Sequence, residues 1–430
     1  MKYFMRKFFD FARLKEQRLP NILVSILLFL YPLAGVSVRN WFSGFAVLIV
    51  LIGLYLIFQV FKNNNNLNLD RDEKYLIFSV SMLFISYLAS GFANGWNDNQ
   101  LDYFLGELNF LFFIPLYIAI RNIEKAPEYI IKGSIISGIL FIIPYIYESD
   151  FSKYFLGSVE GIYSHLFTGP VAIIMAFIML GVLKRFLVIK YWNIVIILSI
   201  LNSFNFAIAT RSGTAYSLAI LMFLIMPLIV VRKMKSRILV YAGIMILLTV
   251  AFAFNEDVHD GVLRVTNSAE KFISIKDIAS YDGNLGTAGE RMAMWMASWT
   301  VFKDHILFGV GRGNYNHAVK KYFAQGLVNK VVILHSHPHN IYFETLSSKG
   351  LFGIAVFFVL MALILKKYYV AWKNNVVYSI SGLLHITAIL IVGLGISGPL
   401  IKNNFTSIFL VYTAVFYSYF NGQLKQKNTS

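Results

Sequence analysis

The chain has 430 residues, 57% of them hydrophobic and 14% charged, and its mean hydropathy is +0.64. Soluble domains carry about 25% charged residues, so a water-soluble fold covered by a polar surface is excluded. There is no cysteine, which removes disulfides and thiolate chemistry; the formal charge of +16 is scattered in short loops between apolar runs, a pattern of membrane topology and not of nucleic-acid binding.

A basic stretch, Lys2, Arg6, Lys7, Arg13, Lys15 and Arg18, precedes the first apolar run. No convincing small-residue cleavage site follows it, so the first run reads as a retained anchor and not as a signal peptide. A membrane helix needs about 20 apolar residues to cross about 30 Å of hydrocarbon. Twelve stretches qualify, near 21–38, 42–61, 75–94, 103–120, 129–147, 166–183, 192–209, 214–231, 238–254, 341–365, 377–397 and 405–420. The sequence therefore predicts an all-α integral membrane protein of about twelve spans. Residues 1–254 hold nine of them, 255–340 form one large polar segment, and 341–430 hold the last three with a short tail.

Charge sets the orientation. If the N-terminus is cytoplasmic, alternate loops should be basic. They are: Lys62, Arg71 and Lys74; Arg121, Lys125 and Lys132; Lys184, Arg185 and Lys190; Arg232, Lys233, Lys235 and Arg237; Lys366, Lys367 and Lys373; Lys425 and Lys427. The short loops of the other side hold Arg39, Lys153, Arg211 and Lys402. Both termini are then cytoplasmic. The polar segment faces outward, which in a bacterium means the periplasm.

Six of the eight histidines fall in that segment: His259, His305, His317, His335, His337 and His339. Thr287–Glu290 has the capping-box pattern and predicts a helix through Arg291, Trp295 and Trp299 to about Phe302, with Arg291 in its first turn. Phe308–Gly313 reads as a flexible turn, and Asn314 to about Gln325 as a second helix. Pro338 keeps Leu334–Asn340 extended. Alternating histidines in an extended run raise the possibility of a metal site. Zinc sites usually draw ligands from separate elements and need supporting partners, so none is expected. Asn340 is a good N-cap for the tenth span, which places His339 just ahead of a helix N-terminus. Such an end attracts anions and keeps a nearby imidazole neutral, able to accept a proton. Plainer readings stand beside these. Arg211 could anchor a span at the interface, Arg291 could pair with Glu290, and His339 could be merely solvated.

His339-Asn340, nine residues, then Gly350-Leu-Phe-Gly353 resembles the pattern of bacterial O-antigen ligases. Glu290-Arg291-x-x-x-Trp295 followed by Gly309-Val-Gly311 looks like a second stretch of the wider ligase/polymerase superfamily. Thr210-Arg211-Ser-Gly213 looks like its arginine motif. The resemblance implies a GT-C-like fold at the bacterial inner membrane. It also implies an inverting glycosyltransferase without metal or other cofactor. Its donor would be a glycan on undecaprenyl pyrophosphate, its acceptor a sugar hydroxyl of lipid A–core, and its surroundings membrane lipid. His339 would be the catalytic base, Arg211 and Arg291 the pyrophosphate ligands, and His335, His337 and Asn340 auxiliary. An O-antigen polymerase, which shares the donor class, is the nearest alternative. A transporter is the rival from another class, disfavoured because the span interiors are almost free of charge apart from Glu107 and Lys132.

Overall fold

The structure, a computed structural model, describes residues 19–33, 41–141, 165–183, 190–210, 212–254, 256–396, 400 and 403–429. Among them there are helices and no strand. In chain order the helices are α1 (Leu19–Leu30), α2 (Trp41–Lys62), α3 (Arg71–Asn94), α4 (Asp98–Leu101), α5 (Phe104–Glu107), α6 (Asn109–Arg121), α7 (Ala126–Leu140), α8 (His165–Leu180), α9 (Lys190–Ala209), α10 (Gly213–Val230), α11 (Met234–Phe254), α12 (Glu256–Ser274), α13 (Gly286–Asp304), α14 (Tyr315–Ala324), α15 (Ile341–Lys373), α16 (Ser379–Val392) and α17 (Asn403–Thr429).

The twelve apolar stretches overlap helices where they are described; residues 34–38, 142–147 and 397 of those stretches lie outside the described residues. Among the described residues, seven helical stretches are long and apolar enough to cross a membrane: 42–62, 71–94, 98–121, 192–209, 213–230, 234–254 and 341–373. Three shorter apolar helices accompany them, at 19–33, 167–180 and 379–392. The chain is a multi-pass membrane protein. Its large apolar core draws on α1–α3, α6–α10 and α15–α17, with α2 and α17 packed on α6, α8 between α9 and α16, and α15 on α3.

Residues 256–340 carry a second, smaller core of their own. Leu285, Met294, Val301, Val310, Tyr315, Val319 and Val332 are all buried in it. This segment is therefore a folded unit of α12, α13, α14 and a 3-10 turn, Lys330–Leu334, packed on the bundle through α13 against α15. The capping box expected at Thr287–Glu290 is not formed. Helix α13 starts at Gly286, and Leu285 at its N-cap gives no side-chain cap. Ser268 Oγ of α12 accepts from Gly289 N (2.9 Å) instead, and Asn284 Oδ1 accepts from Gly286 N (2.7 Å). A partner on a neighbouring helix has replaced the local cap. Arg291 consequently lies in the second turn of α13.

Helix α15 is broken at Gly350, whose φ of 65° and ψ of −160° are non-helical. A break in a membrane helix frees backbone groups that hydrocarbon cannot satisfy. The run Ile306–Gly311 satisfies them. Leu351 N donates to Ile306 O (2.7 Å) and Phe352 N to Leu307 O (3.1 Å); Val310 N donates to Ser347 O (2.8 Å) and Gly311 N to Ser348 O (3.0 Å). Ser90 Oγ of α3 lies 2.5 Å from Phe308 O and 2.8 Å from Ser348 O, and Asn94 Nδ2 donates to Gly309 O (2.8 Å). The turn expected to be flexible is thus pinned on both sides. A Cβ at Gly350 would come within 2.4 Å of Leu307 C. Gly350→Ala is expected to cost about 2–4 kcal/mol, from a backbone region essentially reserved for glycine plus the overlap with backbone. Thermal unfolding of the purified protein in detergent checks this.

Candidate functional site

The start of α15 is the best-fixed point of the region. Asn340 is its N-cap, as expected, with Oδ1 accepting from Tyr342 N (2.9 Å) and Phe343 N (3.2 Å). Asn340 Nδ2 donates to Leu394 O (3.1 Å), and Ile341 N donates to Gly393 O (2.8 Å). Tyr342 OH donates to Leu390 O (2.7 Å). The N-terminus of α15 is therefore clamped to the C-terminal end of α16. This revises one expectation. The first amide N–H groups of α15 are already taken, so this helix end offers the field of its dipole but no free donors for an anion. Asn340→Ala should cost about 1–2 kcal/mol, the range for losing an N-cap. Asn340→Asp, which keeps the acceptor, should recover most of it; melting temperatures in detergent compare the two.

The histidine run is not uniformly extended. His335 is extended, with φ −112° and ψ 138°, but His339 has φ +52°, in the left-handed region. That conformation is uncommon for a residue with a Cβ and costs on the order of 1 kcal/mol. It folds the rings together. The His337 and His339 centroids are 4.2 Å apart, and those of His335 and His339 5.8 Å. Ser336 Oγ lies 2.8 Å from His337 Nδ1. Asn316 Nδ2 holds the run by donating to Ile333 O (3.2 Å) and His335 O (3.0 Å). Trp295 Nε1 donates to Pro338 O (3.2 Å) while its ring stacks on Phe343 at 5.8 Å. Among the described residues no three His, Cys, Asp or Glu side chains are grouped so as to hold a metal ion.

Glu290 and Arg291 turn to different partners. Glu290 Oε2 lies 3.8 Å from His335 Nε2, too long for a hydrogen bond but close enough for electrostatic pairing when the imidazole is charged. Sequence reasoning did not single out Glu290 as a site residue, although it sat inside a recognised stretch. Arg291 reaches the start of α10, where Nη2 lies 3.4 Å from Thr214 Oγ1, and it borders Gly395 beyond α16. It is half-buried, and burial holds its guanidinium below the usual arginine range. Among the described residues no carboxylate pairs with it. The expected alternative, an ion pair with Glu290, is not formed. Arg211 lies outside the described residues. Its neighbour Ser212 caps α10, accepting from Ala215 N (3.4 Å), so Ser212 and Gly213 of the motif stand at the helix start that Arg291 touches.

Four chain segments thus meet at one end of the bundle: the start of α10, the start of α13, the histidine run leading into α15, and the turn after α16. Residues 202–358 match the family model described as O-Antigen ligase. Over this stretch, about a third of its length, the chain is similar to the O-antigen ligase family. A search of curated proteins finds no match. The matched stretch contains Thr214, Glu290, Arg291, His335–Asn340 and the Gly350 break, so it covers three of these four segments; the turn after α16 lies outside it.

Three residues of the matched stretch, Arg312, Glu344 and Lys349, join Glu107 from outside it in a buried charge cluster that sequence reasoning missed. Glu107, fully buried, takes Arg312 Nη1 at 2.5 Å on Oε1, and Lys349 Nζ at 2.8 Å from Oε1 and 2.9 Å from Oε2. Glu344, 5% exposed, interacts electrostatically with both cations. Arg312 also lies over the Tyr103 ring at 4.7 Å. The cluster ties the run after α13 to the first half of α15, and so fixes the shelf on which the histidine run stands.

Proposed function

We propose that the chain is a glycosyltransferase of the ligase type. In this reading it transfers O-antigen glycan from undecaprenyl pyrophosphate to a sugar hydroxyl of lipid A–core, at the periplasmic face of the bacterial inner membrane. Residues 1–254 and 341–430 hold the spans and 255–340 is the periplasmic segment. The observation that carries it is Arg291: a half-buried cation without a carboxylate partner among the described residues, beside the arginine motif and within the stretch matching the family. Burying an uncompensated guanidinium is costly, and an anionic ligand removes the cost.

The chemistry follows. His339 takes the proton of the acceptor hydroxyl. The hydroxyl oxygen attacks the anomeric carbon from the face opposite the pyrophosphate. The bond from anomeric carbon to phosphate oxygen breaks, and its electron pair leaves with the pyrophosphate, so the sugar centre inverts. In this reading Arg291 and Arg211 stabilise the charge that grows on that oxygen, where a fixed cation contributes most. His335, paired with Glu290, and His337 set the surroundings of His339. An O-antigen polymerase would use the same donor half of this site with a lipid-linked glycan as acceptor.

Expression in a bacterial strain lacking its own ligase tests the reading. Capped lipopolysaccharide on a gel is the expected result. A ladder of glycan lengths, arising only in a polymerase-deficient strain, would instead assign the polymerase reaction. Full-length, membrane-inserted protein that yields neither product would overturn the proposal.

A further inference from the structure

Helix α12 has a face that the site does not use. A period of 3.6 residues puts Val258, Val262, Val265, Ala269 and Ile273 on one stripe. Asp260, Arg264, Asn267 and Lys271 fall on the opposite side, and all four are exposed. Beside the stripe, Ser268 and Phe272 are spent on α13: Ser268 Oγ donates to Leu285 O (2.7 Å), and Phe272 packs on the small core. Val262, Val265 and Ile273 of the stripe are exposed, and Val258 and Ala269 partly so. Val265 is 54% exposed and Ile273 74%. A continuous exposed apolar stripe marks an interaction surface.

Position says what covers it. α11 is apolar enough to cross a membrane, and its side chains are widely exposed up to Phe254. α12 begins at Glu256, and His259 of its first turn lies 4.5 Å from Phe252, centroid to centroid. The start of α12 is therefore held at the level where α11 leaves the bilayer. The stripe starts close to the exposed apolar end of α11, where Phe252 and Phe254 are 36% and 84% exposed. Charge adds a constraint. The helix has four carboxylates, Glu256, Asp257, Asp260 and Glu270, against Arg264 and Lys271. Its net charge of about −2 would not be drawn to anionic lipid, so seating comes from apolar burial.

We propose that α12 is an in-plane helix, with the Val258–Ile273 stripe seated in the bilayer interface on the side where α11 ends. This holds α13, and Arg291 with it, at headgroup height. The proposal rests on α11 crossing the membrane and not on the transfer chemistry, so an inactive protein can still satisfy it.

Because the chain has no cysteine, single substitutions can be spin-labelled without background. Labels at Val265→Cys, Ile273→Cys, Arg264→Cys and Lys271→Cys would be placed in the full chain, reconstituted in phosphatidylcholine nanodiscs. Relaxation by oxygen and by a water-soluble nickel complex gives depth. Labels at 265 and 273 are expected about 5–10 Å below the phosphates and at 264 and 271 in water, unchanged when a quarter of the lipid is phosphatidylglycerol. Adding Val262→Asp should move the label at 273 toward water. Equal nickel access at 264 and 265 would overturn the proposal. So would exclusion of both relaxants at 265 and 273 with spin–spin broadening, which would mean that a second copy covers the stripe.

Discussion

Replacing His339 by alanine is expected to lower glycan transfer by about 10²- to 10⁴-fold, the range for losing a general base, while the protein still folds. The fold should tolerate the change because the fixed point beside it is Asn340. The cap on Tyr342 N and Phe343 N, and the bond to Leu394 O, do not involve the imidazole. The left-handed backbone at residue 339 supplies a sharper test. If the position served only to turn the chain, His339→Gly would be as active as wild type or more so, since glycine adopts that conformation without strain. If the imidazole takes the acceptor's proton, His339→Gly should be at least as stable as wild type and as inactive as His339→Ala. The measurement is turnover of a labelled lipid-linked donor in proteoliposomes, beside melting temperatures for all three proteins. An active glycine variant would remove His339 from the chemistry and turn attention to His335, which faces Glu290.

What was legible in the sequence was what local physics dictates. Apolar length located the helices, and Asn340 was identified as a cap because a cap and its targets lie within three residues. The bounds expected for α14 agree with the helix found at Tyr315–Ala324 to within a residue. What was not legible depends on partners far along the chain. The cap of α13 comes from Ser268 on another helix, and nothing in Thr287–Glu290 announces that. Phe308–Gly313 reads as a free turn because its glycines allow one, yet those glycines exist for close approach. A Cβ at Gly309 would lie 2.4 Å from Ser348 C. Glu290 and Arg291 are neighbours in sequence but point to different elements, which no spacing rule predicts. Glu107 looked like an isolated charge among apolar residues. Its partners stand 205 and 242 residues away.

That separation makes Glu107 the position with the largest expected effect on stability. Glu107→Ala should cost about 3–5 kcal/mol, the range for breaking a buried ion pair by removing one partner. The cost arises less from lost attraction than from what is left behind. Arg312 is 3% exposed and Lys349 5%, so neither cation can turn to water. Glu344 could take up some of the excess charge, but it stands on the same half of α15 as Lys349 and cannot reclose the link to α5. The first half of α15 and the Ile306–Gly311 run should therefore loosen together, and the histidine run with them. Two companions separate charge from packing. Glu107→Gln keeps the volume and some hydrogen bonding, and should be intermediate. Glu107→Gln combined with Lys349→Met removes one stranded cation and should be more stable than Glu107→Gln alone, since apolar replacement of a buried pair is often near neutral. Melting in detergent ranks the variants. A Glu107→Ala protein that melts within about 2 °C of wild type would mean the cluster contributes little, because a loss of this size shifts the midpoint by several degrees. If the order holds, the charges that keep the two halves of the site in register lie in a span that hydropathy alone reads as plain membrane helix.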